Sequence, residues 1–166
     1  MKHKMEKLHE GVDALLEKAR KLTQAGEYTK ALAITRQALD LDPENNESKD
    51  MEEDLTRRIK LMRQVKSLTE RGEKAMSCGE NAKALKYFNK ALGLIGDASD
   101  DLVSKQKTIV DNDIELVNEV VALQKQGEAQ FASEQFDKSI DSFTKALAIE
   151  PENDELKKLL AEAKDA

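Results

Sequence analysis

Apolar residues recur at every third or fourth position along most of this chain. In the first stretch Met5, Leu8, Val12 and Leu15 follow this spacing, which places them on one face of an α-helix. Glycine or proline interrupts the pattern at intervals, and both residues favour the end of a helix. The pattern therefore predicts an all-α protein. The expected helices run up to Gly26 and over roughly 28–41, 47–77, 81–94, 100–132, 136–149 and 153–164.

One segment of the chain occurs three times. Each copy opens with a lysine, a small residue and an aliphatic residue, and an Ala-Leu pair follows seven residues after the small one. The residues that close the copies are Pro43, Gly96 and Pro151, which are 53 and 55 residues apart. Internal repetition indicates units that bury their apolar faces on their neighbours instead of in one closed core. The three openings are Lys30-Ala31-Leu32, Lys83-Ala84-Leu85 and Lys138-Ser139-Ile140.

Composition and charge argue against several classes of function. The 166 residues are 36% charged and 39% hydrophobic, with a net charge of −6, so an electrostatic attraction to nucleic acid or to an anionic membrane is not expected. No apolar run approaches the roughly 20 residues that span a bilayer, and the start of the chain lacks the apolar segment of a signal peptide. A cytoplasmic location is therefore expected. The single cysteine, Cys78, excludes an internal disulfide and is interpreted as structural.

No motif for catalysis, cofactor binding or metal binding is found. His3 and His9 are not on a common helical face, and no cysteine joins them. The alternating acidic residues that begin at Asp97 and at Asp111 lack the glycine that a calcium loop needs at its sixth position. These acidic residues are interpreted as helix starts and solvated faces, and Ser99 is expected to cap the helix that follows it. The expectation is a protein that is not an enzyme and has no cofactor.

The repeated segment of about 34 residues resembles a tetratricopeptide repeat, a helix–turn–helix unit of that length. The resemblance implies an α–α superhelix of three repeats followed by a C-terminal helix, all in a single domain. We number the repeats 1 to 3 and place them at about 12–45, 65–98 and 120–153. The small residues that carry the resemblance are Ala19, Gly72 and Gly127 in the first helices, and Ala31, Ala84, Ser139, Ala38, Ala91 and Ala146 in the second.

The large residues typical of the family are present in only some of the repeats. Phe88 and Phe143 stand where the family has an aromatic residue in the second helix, whereas repeat 1 has Thr35. The first helices of repeats 2 and 3 are also extended backwards over about 47–64 and 100–119, which is unusual for the family. Isolated amphipathic helices are marginally stable in water, so we expect the N-terminal helix, these extensions and the final helix at 153–164 to pack side by side.

The family's first helices line a concave groove that binds a peptide, so the resemblance implies a protein or peptide partner. In a branch of the family that binds acidic chaperone tails, the clamp is built from lysine, asparagine and arginine. This chain has Glu70 and Val121 at two of those positions, so we expect that it does not bind such tails. The corresponding groove residues are Asp13, Leu16, Glu17 and Arg20 in repeat 1, Lys66, Glu70, Glu73 and Met76 in repeat 2, and Val121, Lys125, Glu128 and Phe131 in repeat 3.

Two functions are therefore considered. The first is a non-catalytic adaptor or scaffold that holds a peptide segment in the groove. The second is a structural module that forms homo-oligomers through its long helices. The second is motivated by two apolar stripes over 102–123, one containing Ile109 and Leu116 and the other Val110 and Val117. So wide an apolar face indicates burial on two sides, and the oligomer hypothesis takes Val110 as outward-facing.

Overall fold

The computed structural model describes residues 1–96 and 100–166. The predicted capping role of Ser99, and Asp97 with it, lie outside the described residues. The described part of the chain is 87% helix and confirms the all-α prediction. Its helices are α1 Lys2–Gln24, α2 Tyr28–Leu41, α3 Asn46–Ser77, α4 Asn81–Ile95, α5 Asp101–Ala132, α6 Phe136–Ile149 and α7 Asp154–Asp165.

The order of long and short helices follows the sequence pattern. Both extended first helices are continuous, since α3 and α5 each contain 32 residues. At 1.5 Å per residue each helix is about 48 Å long. The sequence left the continuity of these helices open, and the structure shows that both are unbroken.

The turns that follow α1, α3 and α5 share one hydrogen-bond pattern. After α1, the Glu27 amide donates to the carbonyl of Leu22 over 2.9 Å, and the Gly26 amide donates to that of Thr23 over 3.0 Å. Gly26 has a φ of 77°, which is the left-handed conformation that glycine adopts readily. The turn after α5 has the same hydrogen bonds with Glu134 at the left-handed position, at a φ of 61°. The turn geometry is thus retained where the sequence lacks the glycine.

Contacts divide the chain into two compact units. The first compact unit contains Met1–Val65 and Ile95–Lys107. In it α1 packs against α2, and Val12, Leu16 and Ala38 form a buried cluster with Leu15 and Met51 against it. The single-domain organisation and the repeat boundaries stay predictions.

The second compact unit contains Lys66–Leu94 and Thr108–Ala166. In it α6 packs against α7. Phe143 belongs to a buried cluster with Val120, Ala146, Leu156 and Ala163. The last helix therefore covers apolar residues of the third repeat. The side chain of Asn153 accepts a hydrogen bond from the Leu156 amide over 3.1 Å and caps this helix.

The two apolar stripes of α5 have different environments. Val103, Val110 and Val117 are buried, whereas Ile109 and Leu116 are exposed. The expectation that Val110 faces outward is wrong, because this residue has no accessible surface. Ile109 and Leu116 face outward, whereas Val120, which the sequence places on the same stripe, has no accessible surface.

Candidate peptide-binding surfaces

A cleft of about 510 Å³ lies on the second compact unit, beside the C-terminal half of α5. Val121, Lys125 and Glu128, which the sequence predicts as groove residues of repeat 3, line this cleft together with Gln124. At 100° per residue these four residues span about 100° of arc on α5, so a single helix face supplies all four side chains. The remaining lining residues are Gly79, Glu80, Asn81, Ala82 and Lys83 at the start of α4, and Glu155 on α7.

We call this the α5 cleft. Some of its charged side chains have a partner within the chain and others do not. The ammonium of Lys83 contacts a carboxylate oxygen of Glu80 at 2.9 Å, and this hydrogen bond raises the pKa of Lys83. The amide of Gln124 donates to Glu128 over 3.3 Å. Among the described residues Lys125 makes no ion pair within 4 Å. Lys125 therefore offers a free positive charge to a ligand in the cleft.

A buried polar cluster adjoins the α5 cleft through Asn81. Glu150 has no accessible surface, and burial raises the pKa of its carboxyl group, against hydrogen bonds from Asn153 and Asn81. Asn153 donates to Glu150 over 2.8 Å. Gly79, with a φ of 79°, lies so close to Asn153 that a Cβ atom on it would be 2.5 Å from the Asn153 Cγ. The glycine lets the α3–α4 turn approach the N-terminal cap of α7.

A second cleft lies on the first compact unit and includes Arg20, another predicted groove residue. The Arg20 guanidinium contacts Glu17 at 3.2 Å and also forms an ion pair with Glu47 on α3. The hydrogen bond with Glu47 raises the pKa of Arg20. Two carboxylates already neutralise Arg20, so it is a weaker candidate than Lys125 for binding a ligand carboxylate. Asp50, Asp54, Arg58 and Asp100 are among the other lining residues of this cleft.

Arg58 and Asp100 belong to a polar network that the sequence did not predict. The Tyr28 hydroxyl donates to Asp100, and the Arg58 guanidinium forms an ion pair with the same carboxylate oxygen. Arg58 also donates to Asp54 over 2.6 Å and lies 5.8 Å from the centre of the Tyr28 ring. Burial and the Asp100 hydrogen bond raise the pKa of Tyr28 to about 12. The network is structural in character, because its groups satisfy one another.

The remaining predicted groove residues have varied environments. Leu16 is fully buried in the cluster with Val12 and Ala38. The Phe131 ring is 36% exposed and packs edge-on against Phe136, with ring centroids 5.4 Å apart. Met76 is half-buried, and Asp13, Glu17, Lys66, Glu70 and Glu73 are exposed. The twelve positions come from both compact units, and a groove common to all of them stays a prediction.

Glu73 forms a carboxyl pair with Asp113 on α5. Burial raises the pKa of Glu73, and the nearby Asp113 and Glu70 raise it further. Burial also raises the pKa of Asp113, against its hydrogen bond with Glu73. Sequence reasoning missed this pair because no motif links two acidic residues 40 positions apart.

Comparison with known families supports the helix–turn–helix interpretation. Residues 120–153 match the family model of the tetratricopeptide repeat. The third repeat is therefore similar to a tetratricopeptide repeat over its whole length. Its matched residues are those that the sequence assigned to repeat 3, and they include the α5 side chains that line the α5 cleft. None of the curated proteins compared with this chain matches it.

The match supports a general role in binding another protein. Tetratricopeptide repeats are protein-interaction modules and are generally non-catalytic, which favours a protein partner for this chain. Among residues 1–96 and 100–166, no three His, Cys, Asp or Glu side chains are grouped as a metal site requires. In the same part of the chain, no helix combines the length and the apolar composition that crossing a membrane requires.

Proposed function

We propose that this protein is a non-catalytic adaptor that binds an extended peptide segment of a partner protein in the α5 cleft. The observation that carries the proposal is that the first helix of the tetratricopeptide repeat directs Val121, Lys125 and Glu128 into this cleft. An apolar residue followed on the same helix by two charged groups of opposite sign fits a peptide, which offers both side chains and termini.

The charges of the cleft define the peptide that it should prefer. Lys125 is available for one carboxylate, whereas Glu128 and Glu155 would attract a basic residue nearby. Two carboxylates beside one lysine disfavour a run of acidic residues. We therefore propose a ligand of mixed charge, and we expect an acidic C-terminal tail to bind no more tightly than about 1 mM.

Selection from a random peptide library tests the proposal, with the whole chain as the immobilised protein. Peptides selected by the wild type should bind Lys125→Glu about tenfold more weakly or worse, because the reversal leaves a ligand carboxylate beside a like charge. Lys158→Glu is the matched control, since Lys158 is exposed on α7 and does not line the cleft. Equal loss of binding in both variants, or none in either, would contradict the α5 cleft as the site.

A further inference from the structure

The exposed stripe of α5 contains two apolar residues between two charged residues of opposite sign. Lys105, Ile109, Asn112, Leu116 and Glu119 follow one another at steps of four, three, four and three residues. This spacing places all five on one face of the helix, within about 80° of arc at 100° per residue. Ile109 is 45% exposed and Leu116 is 38% exposed. We call this set the α5 stripe.

The order of residues in the α5 stripe is self-complementary when it is reversed. If two copies of α5 lie antiparallel with their Asn112 residues opposite each other, Lys105 of each copy lies opposite Glu119 of the other. Ile109 of each copy then lies opposite Leu116 of the other, within one residue of register. A two-fold axis requires that a surface match its own reverse. Any two opposite charges on one helix face do so about their midpoint, but here the apolar pair Ile109 and Leu116 has nearly the same midpoint, so one axis matches both pairs.

The charges that this pairing would use are free. Among the described residues neither Lys105 nor Glu119 forms an ion pair within the chain. Antiparallel helices approach to about 8–10 Å, a distance at which such side chains reach one another. A polar residue at the centre of an apolar helix seam is also known to fix the register of a helix pair, and Asn112 has this position.

We propose that the α5 stripe is a homodimer interface, in which two copies of this chain pair their α5 helices antiparallel about Asn112. The proposal is independent of the peptide-binding function, because the α5 stripe shares no residue with the α5 cleft. One helix face buries less surface than a standard interface of about 1,600 Å², so the dimer dissociates at about micromolar concentration or weaker.

Light scattering behind size exclusion tests whether the dimer exists. Over concentrations from about 1 µM to 1 mM, the mass of the wild type should rise from 18.6 kDa towards twice that value. Leu116→Glu should raise the dissociation constant by about tenfold or more, because it places a charge in the apolar contact with Ile109 of the other copy. A wild type that stays monomeric over the whole range overturns the proposal.

Charge reversal tests the pairing. Lys105→Glu and Glu119→Lys should each weaken the dimer by about tenfold, because each brings like charges together, and the double variant should recover wild-type association. Lys107→Glu is the matched control, since Lys107 is exposed but lies off the stripe. A double variant as weak as the single variants overturns the antiparallel pairing. Lys125→Glu should dimerise like the wild type, which separates this test from that of the peptide site.

Cysteine cross-linking tests the register in a Cys78→Ser background, which removes the exposed natural thiol. Asn112→Cys should form a disulfide-linked dimer under mild oxidation, because the two-fold axis brings the two thiols together. Asn118→Cys is the control, since Asn118 is exposed on another face of α5. Equal rates of cross-linking at both positions would contradict the proposed register.

Discussion

At the scale of single residues, glycine and phenylalanine occur as matched pairs in this fold. Gly127 of α5 lies against the ring of Phe143 on α6, where a Cβ atom on the glycine would be 2.5 Å from the phenylalanine Cε1. Gly72 and Phe88 make the same contact between α3 and α4. The corresponding residues of the first repeat are Ala19 and Thr35, both fully buried. A smaller side chain on the second helix thus accompanies a larger one on the first.

This size matching predicts the effect of adding one methyl group. Gly127→Ala should lower the free energy of unfolding by about 1–3 kcal/mol, because the ring of Phe143 cannot move aside in a packed core. Gly93→Ala is the control, since a Cβ atom on Gly93 meets nothing within 4 Å. That variant should gain up to about 1 kcal/mol through its helix propensity.

Chemical denaturation followed by circular dichroism measures both effects. Combining Gly127→Ala with Phe143→Leu should destabilise by less than the sum of the two single changes, because the smaller side chain leaves room for the added methyl group. Strict additivity of the two changes would mean that the glycine is required for another reason.

At the scale of elements, α3 and α5 bring two acidic side chains together, although neither helix sequence indicates that these residues meet. The carboxyl groups of Glu73 on α3 and Asp113 on α5 form a pair in which both pKa values are raised. One oxygen of Asp113 is buried and has no hydrogen-bond partner in the described structure. Two carboxylates in one place between helices are unfavourable once both ionise.

The pair predicts that the helix contact weakens as the pH rises. A raised carboxyl pKa means that the folded state holds its proton at pH values where the unfolded chain has released it. The free energy of unfolding therefore falls as the pH increases from about 4 through the raised values. Glu73→Gln should be more stable than the wild type at pH 7, by less than about 1 kcal/mol because the group is partly solvated.

Thermal unfolding between pH 2 and pH 8 checks this sign. The gain of Glu73→Gln over the wild type should shrink to zero towards about pH 2, where both carboxyl groups are protonated in the folded and in the unfolded state. Asp113→Asn should show the same trend, since either change removes the repulsion. A gain that does not vary with pH would show that ionisation of the pair is not its cause.

At the scale of the whole molecule, polar groups connect segments that are far apart in the sequence. Within the first compact unit, Tyr28 at the start of α2 binds Asp100, which is 72 residues later. Arg58 on α3 binds the same carboxylate. Asp100 is buried, so losing it leaves a hydroxyl and a guanidinium without their shared acceptor.

This connection predicts that removing Asp100 destabilises the fold much more than removing its acidic neighbour Asp101. Asp100→Ala should lower the free energy of unfolding by about 2–3 kcal/mol. Asp101→Ala removes an exposed carboxylate from the first turn of α5 and should cost no more than about 1 kcal/mol. Tyr28→Phe combined with Asp100→Ala should be less than additive, as double-mutant analysis by denaturation can show. Similar losses in Asp100→Ala and Asp101→Ala would contradict the network.

The sequence by itself determined the helices and their ends. Apolar spacing, together with Gly26, Pro43, Gly79 and Pro151, is sufficient for this because both helical periodicity and helix ends are local properties. The third repeat was recognisable for the same reason, since its small residues occur at fixed intervals along the chain. The continuity of α3 and α5 was left open by the sequence and was decided by the structure.

Only the tertiary structure decided which side of each helix is covered. Both stripes of α5 have the same spacing, yet Val110 is buried and Ile109 is exposed, because periodicity shows which residues share a face but not which element packs on it. The pairing of Arg20 with Glu47, and that of Tyr28 with Asp100, likewise depend on the path of the chain between them. Such contacts join residues with no common motif, so no local pattern contains them.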